Sequence, residues 1–171
     1  MSATIHTTIA TWVMPILKAM EPYCTGSELL EDLGIDRSCI EDANQRIPIE
    51  KMTKLWQLAE AISKDDCIGL EAIKHVTPTS FHALTSAHHA SSSMRESLER
   101  LKRFSAVVST AVQLTTREDD TEIIVSWEME DNQSQPSHHA IDAFMGILAL
   151  SAQQLSGGRE NPAISVRLIR A

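Results

Sequence analysis

The stretch Ser93–Met129, SMRESLERLKRFSAVVSTAVQLTTREDDTEIIVSWEM, changes its period part-way along, and that change decides the class of fold. In its first part Met94, Leu98, Leu101, Phe104 and Val108 recur at helical spacing. Ser93 and Glu96 open this helix as a capping box: the serine oxygen takes an orphan amide while the glutamate reaches back. Glu96 with Arg100, and Glu99 with Arg103, decorate the outer face at i,i+4. After Val108 the period falls to two. Val112, Leu114 and Thr116 alternate with Gln113, Thr115 and Arg117, and the acidic turn Glu118-Asp119-Asp120 follows. Ile123, Val125, Trp127 and Met129 then alternate with Glu122, Ile124, Ser126 and Glu128. The pattern predicts a capped helix leading into a β-hairpin.

Upstream the signals are helical. Ile9, Val13, Ile16, Leu17 and Met20 make a stripe over Ile5–Met20, and Pro15 inside it predicts a late start or a kink. Thr25-Gly26-Ser27-Glu28 is a second capping box, opening a helix through Leu33 that Gly34 stops. Pro48 sits in the first turn of a longer helix whose apolar stripe is Met52, Leu55, Trp56, Ala59 and Ile62. In that helix Glu50, Lys51, Lys54 and Glu60 lie mostly outside the stripe. Asp65-Asp66 begins a short helix to about Ile73. Downstream, a polar loop over Asp131–Ser137 leads to a helix near 137–157, with Ile141, Phe144, Met145, Leu148, Ala152 and Leu155 as its buried stripe and Gly157-Gly158 as its stop. Ile164, Val166 and Leu168 alternate as a third strand, and the chain ends at Ala171 in mid-strand, as if cut from something longer. The fold predicted is α+β: a helical N-terminal half packed against a small sheet made from the β-hairpin and the third strand, with the 137–157 crossover helix between them. Were the second and third strands parallel, that crossover would be right-handed.

At 171 residues the chain is most simply one domain, and 43% hydrophobic with 22% charged residues is ordinary globular composition. A net charge of −8 with scattered Lys and Arg argues against a nucleic-acid surface, which needs clustered cations. The longest apolar window, Ile141–Leu150, is interrupted by Asp142 and too short to span a bilayer, and Ser2–Thr8 lacks the basic start of a signal peptide. Cys24, Cys39 and Cys67 are odd in number with no CxxC spacing, as expected of reduced structural thiols in the cytoplasm.

No nucleophile elbow, phosphate-binding loop, dinucleotide fingerprint or HExxH motif is present. Asp65-Asp66 and Asp119-Asp120 fall at a helix start and a turn, where acids serve capping and solvation. Histidines are the remaining candidates for a constellation. His82 and His89 are seven apart, His88 is adjacent, and His138-His139 opens the helix after the hairpin. Two from each helix are the number a tetrahedral zinc site takes, but none of these spacings is a helix-borne chelate at i,i+3 or i,i+4. No catalytic residue, metal ligand or cofactor is assigned. The favoured site is a small-molecule pocket between helices and sheet, with Phe81, His82, Leu84, His88, Phe104, Trp127 and Phe144 as candidate lining.

Taken in order, several segments resemble the N-terminal domain of AraC/XylS transcription regulators, in their arabinose-binding-like branch. They are Leu29-Leu30-Glu31-Asp32-Leu33-Gly34-Ile35-Asp36, the Arg46-Ile47-Pro48 lead into an amphipathic helix, and Asp65-Asp66 running to Cys67-Ile68-Gly69-Leu70. The serine-rich break before Ser97-Leu98-Glu99-Arg100-Leu101 and Phe104 completes them, and the likeness spans about residues 9–170. It departs from the family at Phe81-His82-Ala83-Leu84 and at His88-His89. The resemblance implies a non-enzymatic, cytoplasmic, effector-sensing regulatory domain of a bacterial regulator, covering residues 1–171 and truncated before a C-terminal helix-turn-helix DNA-binding domain. It implies a small-molecule effector, contact with DNA only through that missing domain, no membrane partner, and a homodimer with the helices at 49–62 and 93–108 as candidate partner faces. A ligand-free oligomerisation module and a histidine-based metal-binding protein are the alternatives.

Overall fold

A computed structural model of the chain describes residues 5–42, 44–77, 80, 91–129, 135–155 and 165–167. Among them are seven α-helices and four short strands, an α+β arrangement. Within the expected helical segment Ile5–Met20 the helix starts late, as Pro15 predicted, and the correction is at its front, which is the strand β1 (Thr7–Ile9). Its residues are β-branched, with χ1 too restricted to favour a helical turn, and they pair instead. The partner β2 (Arg46–Pro48) runs antiparallel, with Thr8 opposite Ile47. A 3₁₀ turn (Ala10–Trp12) then leads into α1 (Val13–Met20), which places Pro15 in the first turn, where a missing amide is harmless. The predicted stripe survives this change of element, since Ile9, Val13, Ile16 and Met20 are all buried.

Helix α2 (Gly26–Leu33) begins and ends where expected; Thr25 N–H donates to Glu28 Oε2 at 3.4 Å, and Gly34 takes the left-handed conformation at φ 57°. The short α3 (Arg37–Glu41) is unmarked by any apolar period, having one buried residue, and is held by Asp36 Oδ1 accepting from Ser38 N–H at 2.8 Å. Helix α4 (Ile49–Ser63) follows β2 directly, so Pro48 closes the strand and caps the helix rather than lying within its first turn. It buries Met52, Leu55, Trp56 and Ala59 as predicted, whereas Ile62 is 40% exposed. Next come α5 (Ile68–Ala72) and a 3₁₀ turn (Ile73–His75).

Helix α6 (Met94–Val108) is capped by Ser93, whose Oγ accepts from Glu96 N–H at 3.2 Å. Glu96 reaches one residue further back than a capping box requires, accepting from Ser92 N–H at 2.8 Å and from the Ser92 hydroxyl at 2.9 Å. The predicted hairpin forms as β3 (Gln113–Glu118) and β4 (Ile123–Glu128), with Leu114 opposite Trp127 and Thr116 opposite Val125. Asp119 Oδ1 holds its turn by accepting from Thr121 N–H at 2.8 Å and Glu122 N–H at 3.0 Å. An exposed Arg95–Glu118 ion pair joins α6 to β3, but solvent screening makes it minor. Leu114, 1% exposed, anchors the hairpin with about 1.5–3 kcal/mol of side-chain burial.

Helix α7 (His138–Leu155) starts at Ser137, whose Oγ accepts from His139 N–H at 3.3 Å. Its most buried face is His139, Asp142 and Ala143, while Ile141, Phe144, Met145 and Leu148 are only half-buried. This corrects the predicted stripe for a steric reason. Small residues let α5 approach closely: a Cβ on Gly69 would lie 2.3 Å from the His139 carbonyl oxygen, and one on Gly146 would lie 2.9 Å from Ile73 Cδ1. Of the expected third strand, Ile164 and Leu168 lie outside the described residues, and residues 165–167 join neither sheet. The core is one cluster built on Trp12, Trp56, Ile16, Met20, Leu55 and Ile68.

Candidate functional site

A cleft opens where β1, α4, the strand-like segment after α6, and α7 meet. Trp12, Trp56, Met52, Ile49, Ile141 and Phe144 are the large apolar residues of its wall. Trp12 packs on Trp56 edge-to-face at 6.5 Å and on Phe144 at 5.7 Å between ring centroids, so three aromatic rings share one surface. Its enclosed room is about 30 Å³, and the space reaches about 390 Å³ only with the open mouth included. Thr8, Thr53, Ser109 and Ser137 also line the cleft, though its exposed surface is almost wholly apolar, and no charged side chain among the described residues contributes to it.

Each hydroxyl is positioned by backbone. Thr8 donates to the Val108 carbonyl at 2.9 Å and Thr53 to the Gln135 carbonyl at 3.1 Å, which leaves their lone pairs to accept. Ser109 and Ser137 accept from Ala111 N–H and His139 N–H, which leaves their hydroxyl protons to donate. The Trp56 indole N–H is buried and has no acceptor among the described residues.

Of the predicted lining residues, Phe144 is in the wall. Trp127 stands behind it, its ring 5.2 Å from that of Phe144 and its Nε1–H donating to Met145 Sδ at 3.0 Å. Phe104 is 42% exposed on α6, under the Arg103 guanidinium, and does not line the cleft. Phe81, His82, Leu84 and His88 lie outside the described residues, as does His89. Trp12, Trp56 and the four hydroxyls escaped the sequence reading. Trp56 read as core because it sits on a helical stripe, Trp12 fell outside the stripe expected there, and a threonine or serine at an element end carries no signal beyond capping.

Behind the Trp56 ring lies a second polar cluster. His139 is fully buried, its ring 5.9 Å from that of Trp56 and 3.9 Å from that of His138. His139 Nε2 is 2.9 Å from Glu60 Oε2. A carboxylate only accepts, so His139 carries its proton on Nε2. That hydrogen bond holds the Glu60 carboxyl below the usual carboxylate range, the positive ends of His139 and His138 adding to it while desolvation and Asp66 oppose it.

The model for the arabinose-binding domain found at the N-terminus of AraC transcription regulators matches residues 24–170. The chain belongs to that family. The arabinose-binding family is a regulatory, ligand-binding one, so a small-molecule effector and a DNA-binding partner domain are what its members' architecture calls for. No curated protein gives a significant match to the chain. No helix among the described residues is long and apolar enough to cross a membrane.

Proposed function

We propose that residues 1–171 form a single effector-sensing domain whose ligand, a small uncharged molecule with an apolar face, binds in the Trp12–Trp56–Phe144 cleft. The observation that carries this reading is an aromatic-walled cleft with no charged side chain among the described residues, bounded by Trp56, whose buried indole N–H has no acceptor among them. Burying an amine-type donor without an acceptor is unfavourable, and a ligand oxygen there relieves it. A charged effector finds no counter-charge among the described lining residues and would forfeit its hydration. The sugar named in the family description has the matching character, an apolar ring face for stacking and hydroxyls for Thr53 and Ser137. Binding alters an attached helix-turn-helix unit only if one arrangement of the domain binds the effector better than the other. The DNA-contacting charge belongs to that unit, because this chain carries −8. The domain is non-enzymatic and works in the cytoplasm.

Tryptophan fluorescence tests the site, since two of the chain's three tryptophans line the cleft. Titration with neutral sugars, L-arabinose among them, and neutral aromatic compounds is expected to quench emission saturably. Trp56→Phe keeps a ring but removes the N–H, and it should weaken binding about tenfold, the worth of one buried hydrogen bond. Binding confined to carboxylates, or unchanged in Trp56→Phe, contradicts this site.

A homodimer is the second part of the proposal, with α6 as the partner face because Phe104 and Val107 stand 42% and 46% exposed on it. Sedimentation velocity is expected to show a dimer that Phe104→Glu converts to a folded monomer; a wild-type monomer at tens of micromolar removes this part.

A further inference from the structure

We propose that Glu60, His138 and His139 form a binding site for one divalent transition-metal ion of the zinc type, joining α4 to the start of α7. One ligand atom from each of these three side chains lies within 4.8 Å of the others, and the Glu60–His139 pair is already at 2.9 Å. Zinc bound by imidazole nitrogen and carboxylate oxygen at 2.0–2.2 Å needs ligand atoms about 3.3–3.6 Å apart, so closure asks for side-chain rotations of about 1 Å. Two imidazoles with one carboxylate suit zinc, cobalt, nickel or copper, whereas calcium and magnesium take oxygen alone. Three protein ligands leave a fourth position for water.

The set is held as a metal site has to be. Glu60 sits in the last turn of α4, and the backbone of His139 packs against Gly69 of α5, within contact of the glycine's would-be Cβ. His138 is on the solvent side, which provides the way in. Binding requires the His139 proton to move from Nε2 to Nδ1. That nitrogen is buried with no acceptor among the described residues, so the shifted proton costs free energy that the metal bonds have to exceed. The acidic side chain of Asp66 is near enough to act on Glu60 electrostatically, and it adds negative potential for a cation. A second group, Asp65, Asp66 and Cys67, also places ligand atoms within 4.8 Å. It is a single exposed turn in which Asp65 Oδ1 is engaged by the Cys67 amide at 2.8 Å, and it serves as the control.

The test uses the whole chain without a tag, stripped with EDTA and dialysed, then titrated with Co²⁺ and Zn²⁺. One equivalent of Co²⁺ should bind with visible d–d absorption, Zn²⁺ should displace it, and the rise in Tm should reverse on adding chelator. Glu60→Gln and His138→Ala, both at partly open positions, should fold normally by circular dichroism and bind Co²⁺ at least tenfold more weakly. Cys67→Ser should bind as the wild type does. Failure of the wild-type chain to take up an equivalent overturns the proposal. So does undiminished binding in both ligand variants, and so does loss of binding in Cys67→Ser, which moves the ion to the other turn.

Discussion

Gly69 shows how much one hydrogen atom can decide. Any side chain there would place its Cβ 2.3 Å from a backbone carbonyl, that of His139, and backbone cannot swing aside as a flexible side chain can. Gly69→Ala is therefore expected to push α5 from α7 and lower stability by about 1–3 kcal/mol, measurable by urea unfolding. The same variant should disturb the Glu60–His139 hydrogen bond, since the displaced carbonyl belongs to that histidine. Gly69 was visible in the sequence only as part of Cys67-Ile68-Gly69-Leu70, and Glu60 only as a polar residue beside an apolar stripe. Nothing local could link Glu60 to a histidine 79 positions away.

Among the elements, α6 and the hairpin were the most legible, because capping, helical period and strand alternation act over a few residues. Ser93→Ala removes the oxygen that receives Glu96 N–H and should cost about 1 kcal/mol. For a chain of this size that is a fall in Tm of about 2–4 °C, and unchanged melting would show that the cap is idle. The sequence misled at β1, where apolar spacing compatible with a helix belonged to a strand and a 3₁₀ turn. Burial of Ile9 and Val13 satisfies either reading, so period alone could not separate them. It misled again at α7, whose large residues predicted the wrong buried face. Close packing on α5 favours the face with Ala143 and Gly146, and Ile141 and Phe144 are thereby turned toward the cleft.

At the level of the whole molecule, Arg46 ties the N-terminal sheet to the end of α6. Its Nη1 donates to the Val107 carbonyl at 2.6 Å, Nη2 to the Thr7 carbonyl at 3.0 Å, and Nε to Thr7 Oγ1 at 2.8 Å. Desolvation holds its pKa below the ordinary value for arginine, yet far too little to discharge the guanidinium near neutrality. A cation there also meets the negative end of the α6 dipole. Arg46→Met keeps the stem and removes these bonds, and it should destabilise the chain by about 1.5–3 kcal/mol in denaturant unfolding. Hydrogen exchange should quicken first at Thr110, whose amide donates to the Thr7 carbonyl at 3.0 Å. By itself the sequence determined most of the longer helices, the hairpin, the capping residues, most of the core and the family, because period and turn chemistry are short-range properties. The tertiary structure alone decided the pairing of β1 with β2, the rotation of α7, the aromatic cleft and the Glu60–His139 contact. These depend on which surfaces can approach closely after the chain has closed on itself, and close approach between distant segments leaves no local period to read.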